Sequence, residues 1–294
     1  MDLNLIRLHI TLAPQAVQAV APLLGGKGAG FEEALHAVCC VQKNQSCLIC
    51  PIAGSCAVPS LFSRQLSHDP ELVRRYQKPG LPFTFYADSN KGDRNSLLGL
   101  NLLGRACGHL SLFLDALNQL AGQDVCLGLS ASDYQNSLVH IDHTSTETVD
   151  NLPVLAAADL LALYSHRFSC CERIRLDLLS PLRLIREGRE LTRLEPHYFI
   201  RSLLRRISSL AVYYGGGVDQ ELFRHLAQRA ASVSLVRQLP VTQTFGNHLR
   251  GVNGSFELAG PFDELGPLLV LGEQLHLGKG AAFGMGNFAI SAVD

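Results

Sequence analysis

Five of the chain's nine cysteines crowd into one stretch, Cys39, Cys40, Cys47, Cys50 and Cys56. Written out, CCVQKNQSCLICPIAGSC holds one C-x2-C pair, with a third cysteine six residues after it and a fourth seven before it. Thiolates at that density suit a structural zinc site or, less well, an iron-sulfur cluster, because both need four soft ligands converging from a short loop. The candidate ligands are Cys40, Cys47, Cys50 and Cys56. A zinc ribbon would show two C-x2-C pairs where this chain shows one, so cysteines that are merely buried or loop-borne remain the competing account. The odd total argues against a disulfide framework. Cys170 and Cys171 are read as structural residues on a strand. His140 and His143, flanking Asp142, have a spacing that could hold a metal, although two histidines in a polar loop are more often solvated.

Gly278, Lys279, Gly280, Gly284 and Gly286 form a second dense motif. A dinucleotide-binding loop must follow a strand and open a helix, so that phosphates meet the helix N-terminus; here a helix precedes and a strand follows. The Lys-Ser/Thr ending of a P-loop is also missing. What remains is a backbone with little side-chain bulk and one lysine, able to approach a phosphodiester chain closely and offer N–H donors. The alternative is a connection whose glycines are needed for positive φ.

These loops must be positioned by elements whose periodicity is legible. Ile6, Leu8, Ile10 and Leu12 alternate with Arg7, His9 and Thr11 and predict a strand over Leu5 to Leu12. A Gly-rich break, GGKGAG, then leads to a short helix, FEEALHAVC, and the cysteine loop. LPFTFYAD and SLLGLNLLG read as strands, a helix carrying Leu110, Phe113, Leu114 and Leu117 ends at Gly122, and DVCLGLS is a strand. The second half repeats that order. Arg173 to Leu179 alternates, and Pro196 opens a long helix with Ile200, Leu203, Leu204, Ile207 and Leu210 on one stripe and Arg201 and Arg205 one turn apart on the other face. An inserted helix around Asp219 to Ala231 is followed by strands near Pro240 to Phe245 and Gly251 to Leu258, the helix PFDELGPLLVLGEQLH, and a last strand, NFAISAV. The expected fold is α+β: two tandem ferredoxin-like (βαββαβ) domains, over residues 1–155 and 156–294.

The 294 residues, 47% hydrophobic and 17% charged, describe an ordinary folded chain and exclude a disordered or low-complexity one. Asp159 interrupts the most apolar run, Leu152 to Tyr164, so no membrane span is expected. The N-terminus lacks the basic cap and apolar block of a secretion signal, which leads us to expect a cytoplasmic protein. A net charge of -1 argues against binding nucleic acid by bulk electrostatics. Any such site must be local, and residues 160 to 210, with ten arginines against five acids, are where basic charge concentrates.

The run GEQLHLGKGAAFGMGNFAI resembles the C-terminal signature of the CRISPR-associated endoribonucleases that cut repeat RNA, the sixth Cas family of the RAMP superfamily. CLIC with Cys56, Leu61 and Phe62, then LPFTF, LSPLRLIREGRE and PHYFIRSLLRRISSL, is similar in the same order to a bacterial branch of that family. The resemblance implies two ferredoxin-like domains, in agreement with the periodicity. It implies metal-independent cleavage of precursor CRISPR RNA within the repeat, by attack of a ribose 2′-OH on the adjacent phosphate, leaving a 2′,3′-cyclic phosphate and a 5′-OH. No cofactor serves that chemistry; a base, an acid and a cation do.

By the same resemblance the lead catalytic residue is His36, in the first helix, with His197 second; His68 and His248 are weaker candidates. Relatives more often carry Arg at the position of His36, which is why His197 is retained. Lys27, Arg201, Arg205, Gly278, Lys279, Gly280, Gly284 and Gly286 are the expected RNA-binding residues. The implied partners are CRISPR repeat RNA, its crRNA product and other Cas proteins of an effector complex. A non-catalytic subunit that holds the crRNA hairpin is the second reading, and a metal-binding regulator built on the cysteine loop the third.

Overall fold

The computed structural model describes every residue except 29, 43–45, 48, 63–69, 77–78, 88–96, 143–151, 240–249 and 294. Its first half contains β1 (Asn4–Leu12), α1 (Phe31–Cys39), β2 (Phe83–Ala87), β3 (Leu97–Leu103), α2 (Leu110–Ala121), β4 (Cys126–Ser132) and β5 (Leu138–Ile141). These strands form an antiparallel sheet in the order β2-β3-β1-β4-β5. After a connecting helix, α3 (Ala157–Ser165), the second half contains β6 (Arg173–Leu178), α4 (Pro196–Tyr214), α5 (Gln220–Arg229), β7 (Ser234–Leu239), β8 (Ser255–Ala259), α6 (Phe262–Leu275) and β9 (Phe288–Ala292). Its sheet runs β7-β8-β6-β9. Counted within each half, both sheets place the second, third, first and fourth strands of a βαββαβ unit side by side. The molecule is therefore two ferredoxin-like units in tandem.

Local sequence explains most boundaries. α1 begins after Gly30, which takes φ +87°, and places Glu32 and Glu33 in its first turn, where they meet the positive end of the helix dipole. α2 stops where Gly122 adopts the left-handed conformation. Pro196 opens α4, where a missing N–H is harmless. Asp219 caps α5 through its side-chain oxygen, which accepts from the N–H groups of Glu221 and Leu222.

One expectation lies outside the described residues and another is corrected. The strand anticipated near Pro240 to Phe245 falls outside the described residues, and the strand observed there in chain order is β7, Ser234–Leu239. All but one of its residues are exposed, as befits an edge strand with both faces in solvent, so it shows no hydrophobic alternation to read. Cys170 and Cys171 occupy a turn before β6 instead of a strand, with Cys170 at φ 59°. His68, His143 and His248 lie outside the described residues.

Each sheet packs its apolar face under its own helices. In the first half Phe31, Phe83, Phe85 and Phe113 are fully buried against one another, with ring centroids 5.0 to 6.2 Å apart. In the second, Ile174, Leu176, Phe256, Leu258 and Phe288 lie under α4 and α6. The polar face of the first sheet is covered as well. Thr84 Oγ1 and Asn101 Nδ2 both donate to the carbonyl of Gln274 at the end of α6, at 2.9 and 2.8 Å. Arg7, expected on an open face, is only 5% exposed.

Candidate nucleic-acid interface

Two glycine-rich loops from opposite ends of the chain meet between the domains. Gly26 N–H donates to Phe283 O at 3.0 Å, and Phe85 N–H donates to Ala282 O at 2.9 Å. The Phe283 ring enters the aromatic core of the first domain, 5.6 Å from Phe83 and stacked on Phe85 at 6.3 Å. A Cβ at Gly28 would lie 2.6 Å from that ring, and one at Gly280 would lie 2.9 Å from the Cα of Gly26. The loops can sit this close only because neither position carries a side chain.

Their junction forms one wall of a cleft of about 850 Å³. Lys27, Gly28 and Gly30 line it from the first domain, and Gly278, Lys279 and Gly280 from the second. The facing wall is one side of α4, where Ser202, Arg205, Arg206 and Ser209 recur at helical spacing. Glu32 and Glu33 stand at the start of α1 and leave the wall net basic. A second groove of about 650 Å³ continues from this cleft, sharing Tyr76, Ser202 and Arg205 with it. It is lined by Arg75, Arg186, His197, Arg201 and Arg224. His197, Arg201 and Arg205 are exposed and follow one another at four-residue intervals along α4, so they form a single cationic stripe. Arg186 is partly neutralised by Glu195 at 2.8 Å and lies over the Tyr198 ring at 5.9 Å.

The structure thus gathers Lys27, Arg205, Gly278, Lys279 and Gly280 in one cleft and Arg201 and His197 in the groove beside it. Gly284 and Gly286 behave otherwise. Both are buried and neither lines the cleft; a Cβ at Gly284 would press on the Leu24 backbone, and one at Gly286 would overlap the Leu277 carbonyl. Their positive φ values, 84° and 63°, fit the turn that brings Phe283 into the first domain. For these two glycines the backbone alternative replaces contact with RNA.

His36 and His197 line different cavities. His36 sits on α1 one turn beyond Glu32, in a small pocket that also receives Cys40, Cys47, Cys50 and Cys56. The four cysteines of the expected metal set therefore share one pocket. Among the described residues, no three His, Cys, Asp or Glu side chains are arranged to hold a metal ion. Cys39, at the end of α1, hydrogen-bonds with Cys56, and burial together with that neighbour pushes its thiol up to about 11.

Sequence reading passed over two residues of the cleft and one buried beside it. Arg206 lies beside Arg205 but reaches inward, where its Nε donates to the Leu275 carbonyl at 2.9 Å and its Nη2 is buried with no partner among the described residues. Ser209, 6% exposed, has an Oγ without a partner among the described residues. His276 is 1% exposed at φ 51°, with Nδ1 3.2 Å from the Ala281 carbonyl; burial and then the Arg206 charge push it down to about 3, so it is a neutral core group. Four-residue spacing from Ser202 to Arg206 was the available signal, but the apolar stripe of the same helix masks it. Among the described residues, no helix is long and apolar enough to cross a membrane.

Residues 176–288 match the family model described as CRISPR-associated endoribonuclease Cas6, and residues 5–166 match a model described as an N-terminal domain. No curated protein matches the chain. Among solved structures, a Cas6 product complex is 14% identical, with 99% of each chain covered and a TM-score of 0.49. Thermus thermophilus Cas6 is 14% identical over 98% of each chain, with a TM-score of 0.47. A Cas6 substrate mimic complex is 16% identical over 99% of each chain, with a TM-score of 0.46.

Proposed function

We propose that the chain is a CRISPR-associated endoribonuclease of the Cas6 type, which holds and cuts CRISPR repeat RNA along the cleft between its two domains. The observation that carries this placement is the meeting of Lys27, Lys279 and the basic face of α4 around one cavity. Exposed cations there meet phosphate oxygens, and the α4 stripe through His197, Arg201 and Arg205 extends the track. Small glycines at 278 and 280 let the strand approach the backbone.

The reaction needs no metal. The 2′ oxygen attacks phosphorus as its proton passes to a base, the P–O5′ bond breaks, and an acid protonates the leaving 5′ oxygen. His36 is the first candidate for base or acid, because α1 carries it one turn from the cleft wall at Glu32; His197 is the second. The product crRNA is released to, or kept within, an effector complex with other Cas proteins. Incubation with the cognate repeat RNA in EDTA, with product ends mapped, tests this beside His36→Ala. One cut leaving a cyclic phosphate, lost in the variant, supports the assignment. Tight binding without a cut overturns the mechanism and leaves a crRNA-holding subunit.

For the cysteine loop the proposal is a structural zinc. Its support is the arrangement of Cys40, Cys47, Cys50 and Cys56 around one pocket, and metal analysis of the purified chain tests it.

A further inference from the structure

We infer that Arg206 and Ser209 form a phosphate-binding subsite at the floor of the interdomain cleft, built to take one phosphodiester of the RNA backbone. The inference rests on the reading of the cleft as the RNA site and adds to it a fixed anchor. The other cations of the cleft, Lys27, Arg205 and Lys279, are exposed or loop-borne charges, strongly hydrated and screened by salt. Arg206 is different in three respects.

First, its guanidinium is held in place. Nε donates to the Leu275 carbonyl, the last turn of α6, where a cation is favoured by the helix dipole. On the opposite side it packs against Gly80, where a Cβ would collide with Nη1. Second, the charge has no carboxylate partner among the described residues, whereas Arg173, Arg186, Arg229 and Arg237 each have one. Burial of an unpaired guanidinium is costly unless an anion arrives to meet it. Third, the donor left over is accompanied by another. Nη2 of Arg206 and Oγ of Ser209 are both buried without partners among the described residues, three residues apart on the same face of α4, and both residues line the cleft. Two adjacent unused donors, one of them charged, match a phosphate oxygen pair. Among the described residues, neighbouring groups do not supply that anion. His276 beside Arg206 is neutral, and Glu32 and Glu33 lie on the cleft wall without bonding to it.

A purely structural role, tying α4 to α6, would leave RNA chemistry unaffected, and the test separates the two. Repeat RNA carrying a 2′-deoxy nucleotide at the cut site, so that it binds uncut, is prepared with single methylphosphonates that each neutralise one phosphate. Wild type, Arg206→Gln, Ser209→Ala and Gly80→Ala are titrated with each RNA over a range of salt. For wild type, one methylphosphonate should weaken binding roughly tenfold or more, the worth of a charged hydrogen bond. In Arg206→Gln that penalty should vanish, and the slope of log affinity against log salt should fall by about 0.7 to 0.9. Gly80→Ala should reproduce the effect by displacing the guanidinium while keeping its charge. If Arg206→Gln does not fold, Gly80→Ala and Ser209→Ala decide the matter. Folded variants with the wild-type slope and the wild-type methylphosphonate profile overturn the subsite and leave the RNA cleft standing. A wild type that binds no repeat RNA overturns the cleft and the subsite together.

Discussion

Gly26 and Phe283 are 257 residues apart, yet the N–H of the first donates to the carbonyl of the second at 3.0 Å. That bond joins the two glycine-rich loops and sets the spacing of the cleft they line. The basic wall of the cleft and the domain junction are therefore one structure, and a change that loosens the junction also reshapes the wall.

Phe283→Ala tests the junction. Its ring is 9% exposed and packs on Phe31, Phe83 and Phe85, so truncation should cost about 3 kcal/mol, the lower end for a core phenylalanine. Urea denaturation would read this as a lowered midpoint. An unchanged midpoint would mean that the domains hold together without the loop.

His36→Ala should lower the cleavage rate by ~10² to 10⁴ with little loss of RNA affinity, as expected when a general acid or base is removed. Single-turnover rates beside equilibrium binding separate the two effects. Should His36→Ala cut normally while His197→Ala does not, the role moves to α4.

Replacing Arg201 and Arg205 together by Ala should weaken RNA binding across sequences and reduce the salt slope by about 1.4 to 1.8, two phosphate contacts' worth. A slope identical to wild type would place the RNA elsewhere than the α4 stripe.

Two desolvated titratable groups near the domain junction pull stability in opposite directions with pH. Burial pushes the Glu273 carboxyl up to about 7, against the opposing effect of the Ile290 N–H it accepts from at 2.6 Å and of Arg167 and Arg7. A carboxyl raised in this way contributes stability fully below its ordinary 4.5 and loses it as pH rises through about 7. His276, pushed down to about 3, contributes above its ordinary 6.5 and loses that contribution as pH falls toward 3. Between 4.5 and 6.5 the two oppose each other. Glu273→Gln should make the melting temperature rise with pH over that window, and His276→Asn, which tolerates the left-handed backbone, should make it fall. Parallel curves for the two variants would refute the account.

Cys47→Ser with Cys50→Ser should lower both bound zinc and the melting temperature if the loop is a structural metal site. Unchanged metal content and stability would show that these cysteines only line their pocket.

Reading along the chain recovered the strand-helix-strand-strand-helix-strand order in both halves, because amphipathic periods and helix stops are local properties. Phe31–Cys39 was bounded correctly by Gly30 and the following loop, α4 by Pro196, and α2 by Gly122. Periodicity failed for β7, whose two solvated faces leave no pattern.

Local patterns in the chain fix the pair of βαββαβ units and the residue types available to meet phosphate, since helix stripes, strand alternation and caps act over a few residues. The roles of those residues emerge only on docking. It turned Gly284 and Gly286 into joints that seat Phe283, buried Arg7 against Asp133 and Asn136, and separated His36 from His197 into different cavities. It also left Arg206 and Ser209 with unused donors in the cleft. The physical reason is that each outcome depends on which groups remain unpaired once segments some 200 residues apart have docked, and no local pattern in the chain encodes that.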